Sequence, residues 1–117
     1  MIVILPLPTY HNVRGPIAKI FRRTDIRFVT LLEDYIVDLT DDSWKRTIHQ
    51  KIAELEPLLR NGDACVVLTG HPLISLYTIF EILKRTGRVR VLAWDSARRT
   101  YIVHTMTLRD LYGEKGN

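Results

Sequence analysis

Two runs of this chain, Ile2-Val3-Ile4-Leu5 and Ala64-Cys65-Val66-Val67-Leu68, are apolar at every position. A strand with one face in water alternates polar and apolar side chains. A short β-branched-rich run with no polar member is a strand covered on both faces. In a chain of 117 residues that cover comes from helices, which constrains the fold to helix–sheet–helix layers with mainly parallel strands. The intervening sequence has the matching period. Trp44, Ile48, Ile52, Leu55 and Leu59 recur at helical spacing, with Lys45, Arg46, Gln50 and Lys51 on the other face. Leu73, Leu76, Ile79, Phe80 and Leu83 form a second such stripe, and Ile17, Ile20 and Phe21 a shorter one behind Pro16.

Punctuation residues set the boundaries. Pro6 and Pro8 end the first strand, and Pro16 suits the first turn of a helix reaching about Arg23. Residues 26–32 and 35–39 read as strands separated by Glu33-Asp34, either as a tight hairpin or as one long bent strand. Thr40-Asp41-Asp42-Ser43 starts the second helix, Pro57 should kink its last turn or shift its end, and Asn61-Gly62 stops it. The third helix ends at Thr86-Gly87. Residues 88–94 and 100–106 then pair as an antiparallel hairpin about a turn at 95–99, followed by a short helix near 108–112. The expected class is α/β and Rossmann-like: a mainly parallel sheet, helices on both faces, and a C-terminal antiparallel hairpin. One domain is expected over residues 1–112, with 113–117 as a polar tail.

Composition narrows function less than it narrows fold. Lys and Arg number 17 against 13 Asp and Glu, a net charge of +4, which fits an anionic ligand as well as a solvated basic surface. The single cysteine, Cys65, lies inside an apolar run, so neither a disulfide framework nor a cysteine zinc site is expected. His49 and His104 have no partners at metal-ligand spacing, and helix capping accounts for Asp41 and Asp42; no metal and no cofactor are expected. The apolar runs are too short to cross a bilayer and no charged leader precedes the first, so the expected location is cytoplasmic.

Ligands of open α/β sheets bind beyond the carboxyl ends of the strands. That rule selects the turns at 8–15, 40–43, 69–72 and 95–99. In the first, Thr9, Tyr10, Asn12 and Arg14 are the donors and aromatic that hold nucleotides, and His11 titrates near neutrality; a polar surface loop is the plain alternative. In the third, Gly70 permits close approach. Thr69 and Pro72 flank a helix start whose free N–H groups near Leu73 and Ile74 would face a phosphate, and Ser75 adds a hydroxyl. An ordinary strand-to-helix turn explains the same residues. At the hairpin tip Arg98 and Arg99 beside Asp95 form either a phosphate clamp or a solubilising turn. Trp44 and Trp94 are assigned to core or interface roles.

The segment Gly62-Asp63-Ala64-Cys65-Val66-Val67-Leu68-Thr69-Gly70-His71-Pro72, the helix after it, Gly87-Arg88-Val89-Arg90-Val91-Leu92-Ala93-Trp94-Asp95 and Tyr101-Ile102-Val103 resemble the small CRISPR-associated proteins of Rossmann-like (CARF-like) fold, among them stand-alone ring nucleases and sponges for cyclic oligoadenylate. The resemblance implies a homodimer that binds cyclic tetra- or hexa-adenylate across its two-fold axis. It further implies metal-independent cleavage, with a ribose 2′-hydroxyl attacking the adjacent phosphate to leave 2′,3′-cyclic phosphate ends, and so an end to type III CRISPR signalling. The implied catalytic residues are His11, His71 and Arg98; Arg14 or Arg99 would also stabilise the phosphorane. Three functions stand as alternatives: a ring nuclease, a non-catalytic sponge for the same ring, and a small dimeric RNA- or protein-interaction domain. Neither a membrane nor a stable duplex nucleic acid is an expected partner.

Overall fold

The computed structural model describes residues 1–112 apart from Tyr10, His11, Tyr35, Ile36, Gly62 and Asp63, with backbone only for Leu111 and Tyr112. Five strands form one sheet in the order β2-β1-β3-β4-β5. In chain order the elements are β1 (Ile2–Leu5), α1 (Arg14–Phe21), β2 (Arg27–Thr30), α2 (Ser43–Leu59), β3 (Ala64–Val67), α3 (Pro72–Thr86), β4 (Arg88–Asp95), β5 (Thr100–Thr107) and α4 (Leu108–Tyr112). The strands β1 to β4 run parallel and β5 returns antiparallel along β4. The α/β class and the C-terminal antiparallel pair are as the sequence predicts.

Side-chain alternation divides the core in two. Ile2, Ile4, Ala64, Val66, Val89 and Val91 face α2 and α3, where Trp44, Ile48, Ile52, Ile74, Ile79 and Ile82 meet them. Val3, Leu5, Cys65, Val67 and Leu92 face the other way, onto Val13, Ile17 and Phe21 of the α1 segment. This is why β1 and β3 have no polar position: both of their faces are roofed. Cys65 is fully buried, as a small apolar side chain would be.

Three boundaries depart from expectation. Residues 35–39 contribute no strand among those described; Tyr35 and Ile36 lie outside them. Val37 and Leu39 instead plug the α2/α3 side of the core from a loop. The reason is local. Asp38 accepts from the Thr40 backbone N–H at 2.9 Å, and Asp41 accepts from the Ser43 N–H at 2.8 Å, so Asx-type turns take donors that a strand ladder would need. α2 begins at Ser43, within the expected start at 40–43, although Asp42, its N-cap, makes no side-chain cap bond. β2 is also shorter than 26–32, although Leu31 and Leu32 still donate to the Leu5 and Pro6 carbonyls. α1 begins at Arg14, which places Pro16 inside its first turn, where no intrahelical donor is lost.

Glycine is required at one turn above the rest. Gly70 has φ +70°, and a Cβ there would come within 3.2 Å of the Cβ and Cγ of buried Leu7. Gly87, the C-cap of α3, has φ +82° with open space around it.

The α2–α3 seam carries one buried charge. Glu81 is 4% exposed; it accepts from His49 Nδ1–H at 3.1 Å and from Lys84 at 3.2 Å, with Arg85 Nε at 3.5 Å. Burial raises the Glu81 pKa, but the bonds from His49 and Lys84 outweigh it and hold the carboxyl below its ordinary 4.5. No helix among the described residues is long and apolar enough to cross a membrane.

Two stability predictions follow from these packings. Gly70→Ala should cost about 1–3 kcal/mol in urea unfolding, from strain plus overpacking. Gly87→Ala should cost less, since only the backbone is strained; an equal loss at both sites would remove the role given to Leu7. For Glu81, a folded pKa held down means stability present above the unfolded value and lost as pH falls through the folded one. Glu81→Gln should therefore cost about 1 kcal/mol at neutral pH, low because His49 and Lys84 are more than half exposed. Thermal scans should show the gap between wild type and variant closing below about pH 4.5; a gap unchanged by acid would contradict the assignment.

Candidate functional site

Because β1, β2, β3 and β4 are parallel, the turns that follow them leave from one rim. The strand order reverses between β1 and β3, since β1 leads outward to β2 on one side and β3 to β4 on the other. From β1 the chain passes to α1 on one face, and from β3 it passes to α3 on the other. The two turns must part there, which opens a crevice at the strand ends.

A cleft of about 500 Å³ occupies that position, lined by Thr9, Asn12, Val13, Pro16, Leu68, Thr69, Gly70, Trp94 and Tyr101. None of these residues is charged. One wall is aromatic: Trp94 and Tyr101, directly paired across β4 and β5, stack edge-to-face with centroids 5.1 Å apart. Trp94 is 51% exposed although its ring is large and apolar. Tyr101 is half-buried, and burial pushes its phenol pKa up, so it stays a neutral donor. The opposite wall is polar. The Thr69 hydroxyl is buried without a hydrogen-bond partner, and the Asn12 carbonyl oxygen accepts from the Gly15 N–H at a long 3.5 Å. An uncharged, ring-lined slot with a few hydrogen-bonding groups suits a flat heteroaromatic ligand better than a bare phosphate.

The predicted residues divide around this cleft. Thr9, Asn12, Thr69 and Gly70 come together in it, from turns nearly 60 residues apart. Tyr10 and His11 lie outside the described residues. His71 and Pro72 line a different groove, with Leu7, Val37, Leu39, Gly70 and Ile74. His71 is the N-cap of α3: its Nδ1 accepts from the Leu73 N–H at 3.1 Å. Its carbonyl accepts from the N–H groups of Ile74 and Ser75. The free amides expected there for a phosphate are therefore already bonded. Ser75 is 4% exposed and donates to the Thr69 carbonyl at 3.0 Å, so it pins the turn from inside.

The basic residues are similarly sorted. Arg14 lays its guanidinium over the Phe28 ring, 4.8 Å from the centroid, toward β2 and away from the cleft. Arg98 pairs with Asp95 at 2.7 Å. Asp95 also accepts from the N–H groups of Ala97 and Arg98. The Arg98 bonds hold the Asp95 carboxyl below its usual range. Both residues thus build the hairpin turn. Arg99 stands apart from them, in a groove against α1. Of the implied catalytic group, His71 and Arg98 are not brought together.

The sequence reading missed Trp94 and Tyr101, which it placed in no site. A signal existed: a four-residue turn at 96–99 sets Trp94 opposite Tyr101, and alternation from buried Leu92 puts both on the α1 side. The chain matches no family model, no curated protein and no solved structure.

Proposed function

We propose that this chain is a nucleotide-binding module of Rossmann-like type that sequesters cyclic oligoadenylate, taking an adenine in the rim cleft of each copy of a homodimer. The observation that carries the reading is the meeting of the β1 and β3 turns opposite the Trp94–Tyr101 pair around a cleft whose described lining residues are uncharged. Adenine has a flat π-face for Trp94 and ring nitrogens and an amine for Asn12, Thr69 and Tyr101.

The homodimer rests on α3. Leu73, Leu76 and Phe80 lie on one helical face and are 45%, 47% and 51% exposed. The α2 side of α3 is occupied by Tyr77 against Trp44 and by Glu81 against His49, so the stripe looks outward. Packing this stripe against its copy about an axis parallel to the strands keeps both rims at one end, within reach of one ring. Pairing along the β5 edge would turn the rims to opposite ends.

Retention without turnover is favoured because the described cleft holds no acid–base pair: His71 caps α3 and Arg98 is bound to Asp95. Cleavage is the second reading, resting on the resemblance to ring nucleases rather than on the described cleft. In that step the 2′-oxygen bonds to phosphorus as the bond to the 5′-oxygen breaks. The 2′-proton passes to a base, and the leaving oxygen takes one from an acid. Either way the messenger of type III CRISPR signalling is removed.

Radiolabelled cyclic tetra- and hexa-adenylate, incubated with the protein in EDTA, should be retained intact. Linear products would favour the nuclease, and no retention at micromolar protein would reject both. Trp94→Ala should weaken binding about tenfold or more, the worth of one stacked base. In sedimentation, wild type should be a dimer and Phe80→Asp a monomer that has lost the ring; a monomeric wild type would overturn the dimer.

A further inference from the structure

A second groove borders the cleft across Pro16, which lines both. It is about 620 Å³ and is walled by Gly15, Lys19, Ile20, Arg99 and Thr100, the residue next to Tyr101. Its character is the reverse of the cleft's. The cleft has rings and no charge; the groove has two cations on opposite walls, one from α1 and one from the hairpin tip. Among the described residues no carboxylate pairs with Lys19 or Arg99, whereas adjoining Arg98 is tied to Asp95.

The backbone at Arg99 adds a second observation. Its φ is +52°, the left-handed region, at the last position of the turn 96–99. Glycine or asparagine takes that conformation with least strain, and the fold gains nothing visible from an arginine there. The other left-handed arginine, Arg22 at φ +53°, is explained by its place as C-cap of α1, where its N–H donates to the Ala18 carbonyl. Arg22 lies at the far end of α1 from the cleft. Strain alone therefore distinguishes neither residue; position in the groove does.

We propose that Lys19 and Arg99 form the phosphate subsite of the cleft, so that a nucleotide lies with its base against Trp94 and Tyr101, its sugar over Pro16 and its phosphate between the two cations. This rests on the nucleotide reading of the cleft and adds the ligand's orientation and its phosphate anchors. Lys19 supplies a mobile point charge and Arg99 a planar fork, a pairing that fits a phosphate monoester or a phosphodiester linkage.

The test is a titration of the isotope-labelled full chain with adenosine and with AMP at low salt, followed through the indole N–H signal of Trp94, which Trp94→Phe identifies. Both ligands should move that signal. AMP should bind about ten- to hundredfold more tightly than adenosine, the worth of charged hydrogen bonds, and the advantage should shrink with added salt. Arg99→Gly and Lys19→Gln should each cut the AMP advantage and leave adenosine unchanged, while Arg22→Gly should change neither. Arg99→Gly should melt at or above the wild-type midpoint, because glycine relieves the strain, so the loss cannot come from unfolding. An AMP affinity equal to that of adenosine in wild type, or an advantage that survives both substitutions, would overturn the subsite and leave the base cleft standing. No movement of the Trp94 signal with either ligand would overturn the nucleotide reading, and the subsite with it.

Discussion

Everything at the rim depends on β1 being hydrogen-bonded on both sides to strands running its own way, Ile2 to Leu5 against Arg27 to Thr30 and against Ala64 to Val66. Parallel neighbours cannot be joined by a tight turn, so each connection must cross a face of the sheet before the next strand begins. Those crossings supply the cover that lets β1 and β3 be apolar throughout. They also bring Thr9, residues 12–16 and residues 68–70 to one end with their turns diverging. The crevice is thus a by-product of the strand order, present before any side chain is chosen to use it.

What fills the rim is mostly self-satisfied. The Asx turns at Asp38 and Asp41, the His71 cap on Leu73, the Ser75 bond to Thr69 and the Asp95–Arg98 pair each tie a polar group to the turn that carries it. Such bonds hold loops in one shape, which lowers the ordering cost of binding. They also remove candidates. Once they are subtracted, the groups left open among the described residues include the Asn12 amide, the Thr69 and Tyr101 hydroxyls and the exposed Trp94 ring at the cleft, with Lys19 and Arg99 in the adjoining groove. A rim of rigid turns around a few open groups is suited to recognition. His71 is one candidate so removed, since it gives up its Nδ1 lone pair to the Leu73 N–H of the helix.

Much of the layout was legible from sequence because burial on two faces leaves a distinctive record. Ile2 to Leu5 and Ala64 to Val67 could be strands of no other kind, and the stripes of α2 and α3 left no choice of period. The failure at 35–39 shows the limit. Tyr35-Ile36-Val37-Asp38-Leu39 has strand composition, yet Val37 and Leu39 are partly buried from a loop, and the Asp38 side chain takes up the Thr40 amide. Composition reports that a side chain will be buried; it does not report which backbone partner will be present. The site was half legible for a related reason. Topology picks out the turns, so Thr9, Asn12, Thr69 and Gly70 could be named from sequence, and they line one cleft. The chemistry within a turn depends on which donors the turn itself consumes, and those competitions are settled by angles that sequence spacing does not carry. Trp94 was missed because an aromatic in a β-rich run is normally core; here the hairpin outruns α1 and leaves the ring's outer face bare.

Arg99 carries the argument one step further. A hairpin selected for stability alone would place glycine at φ +52°, because an arginine there bears backbone strain and gives no ion pair in return. Its neighbour Arg98, in an ordinary conformation, makes the turn's salt bridge and is fully accounted for by it. Two adjacent arginines thus have opposite relations to the fold: one supports the turn, and the other strains it while facing a groove that opens into the aromatic cleft. Arg22 bears the same strain as a helix cap, so what sets Arg99 apart is its place in the groove, where the proposed subsite would put a nucleotide's phosphate. Lys19 differs in the same way from Lys45 and Lys84, which lie within ion-pair distance of Asp42 and Glu81 and so serve α2 and α3. Among the described residues Lys51 also has no such pair, so what singles out Lys19 is its place in the groove beside the cleft, where the proposed subsite would put a phosphate.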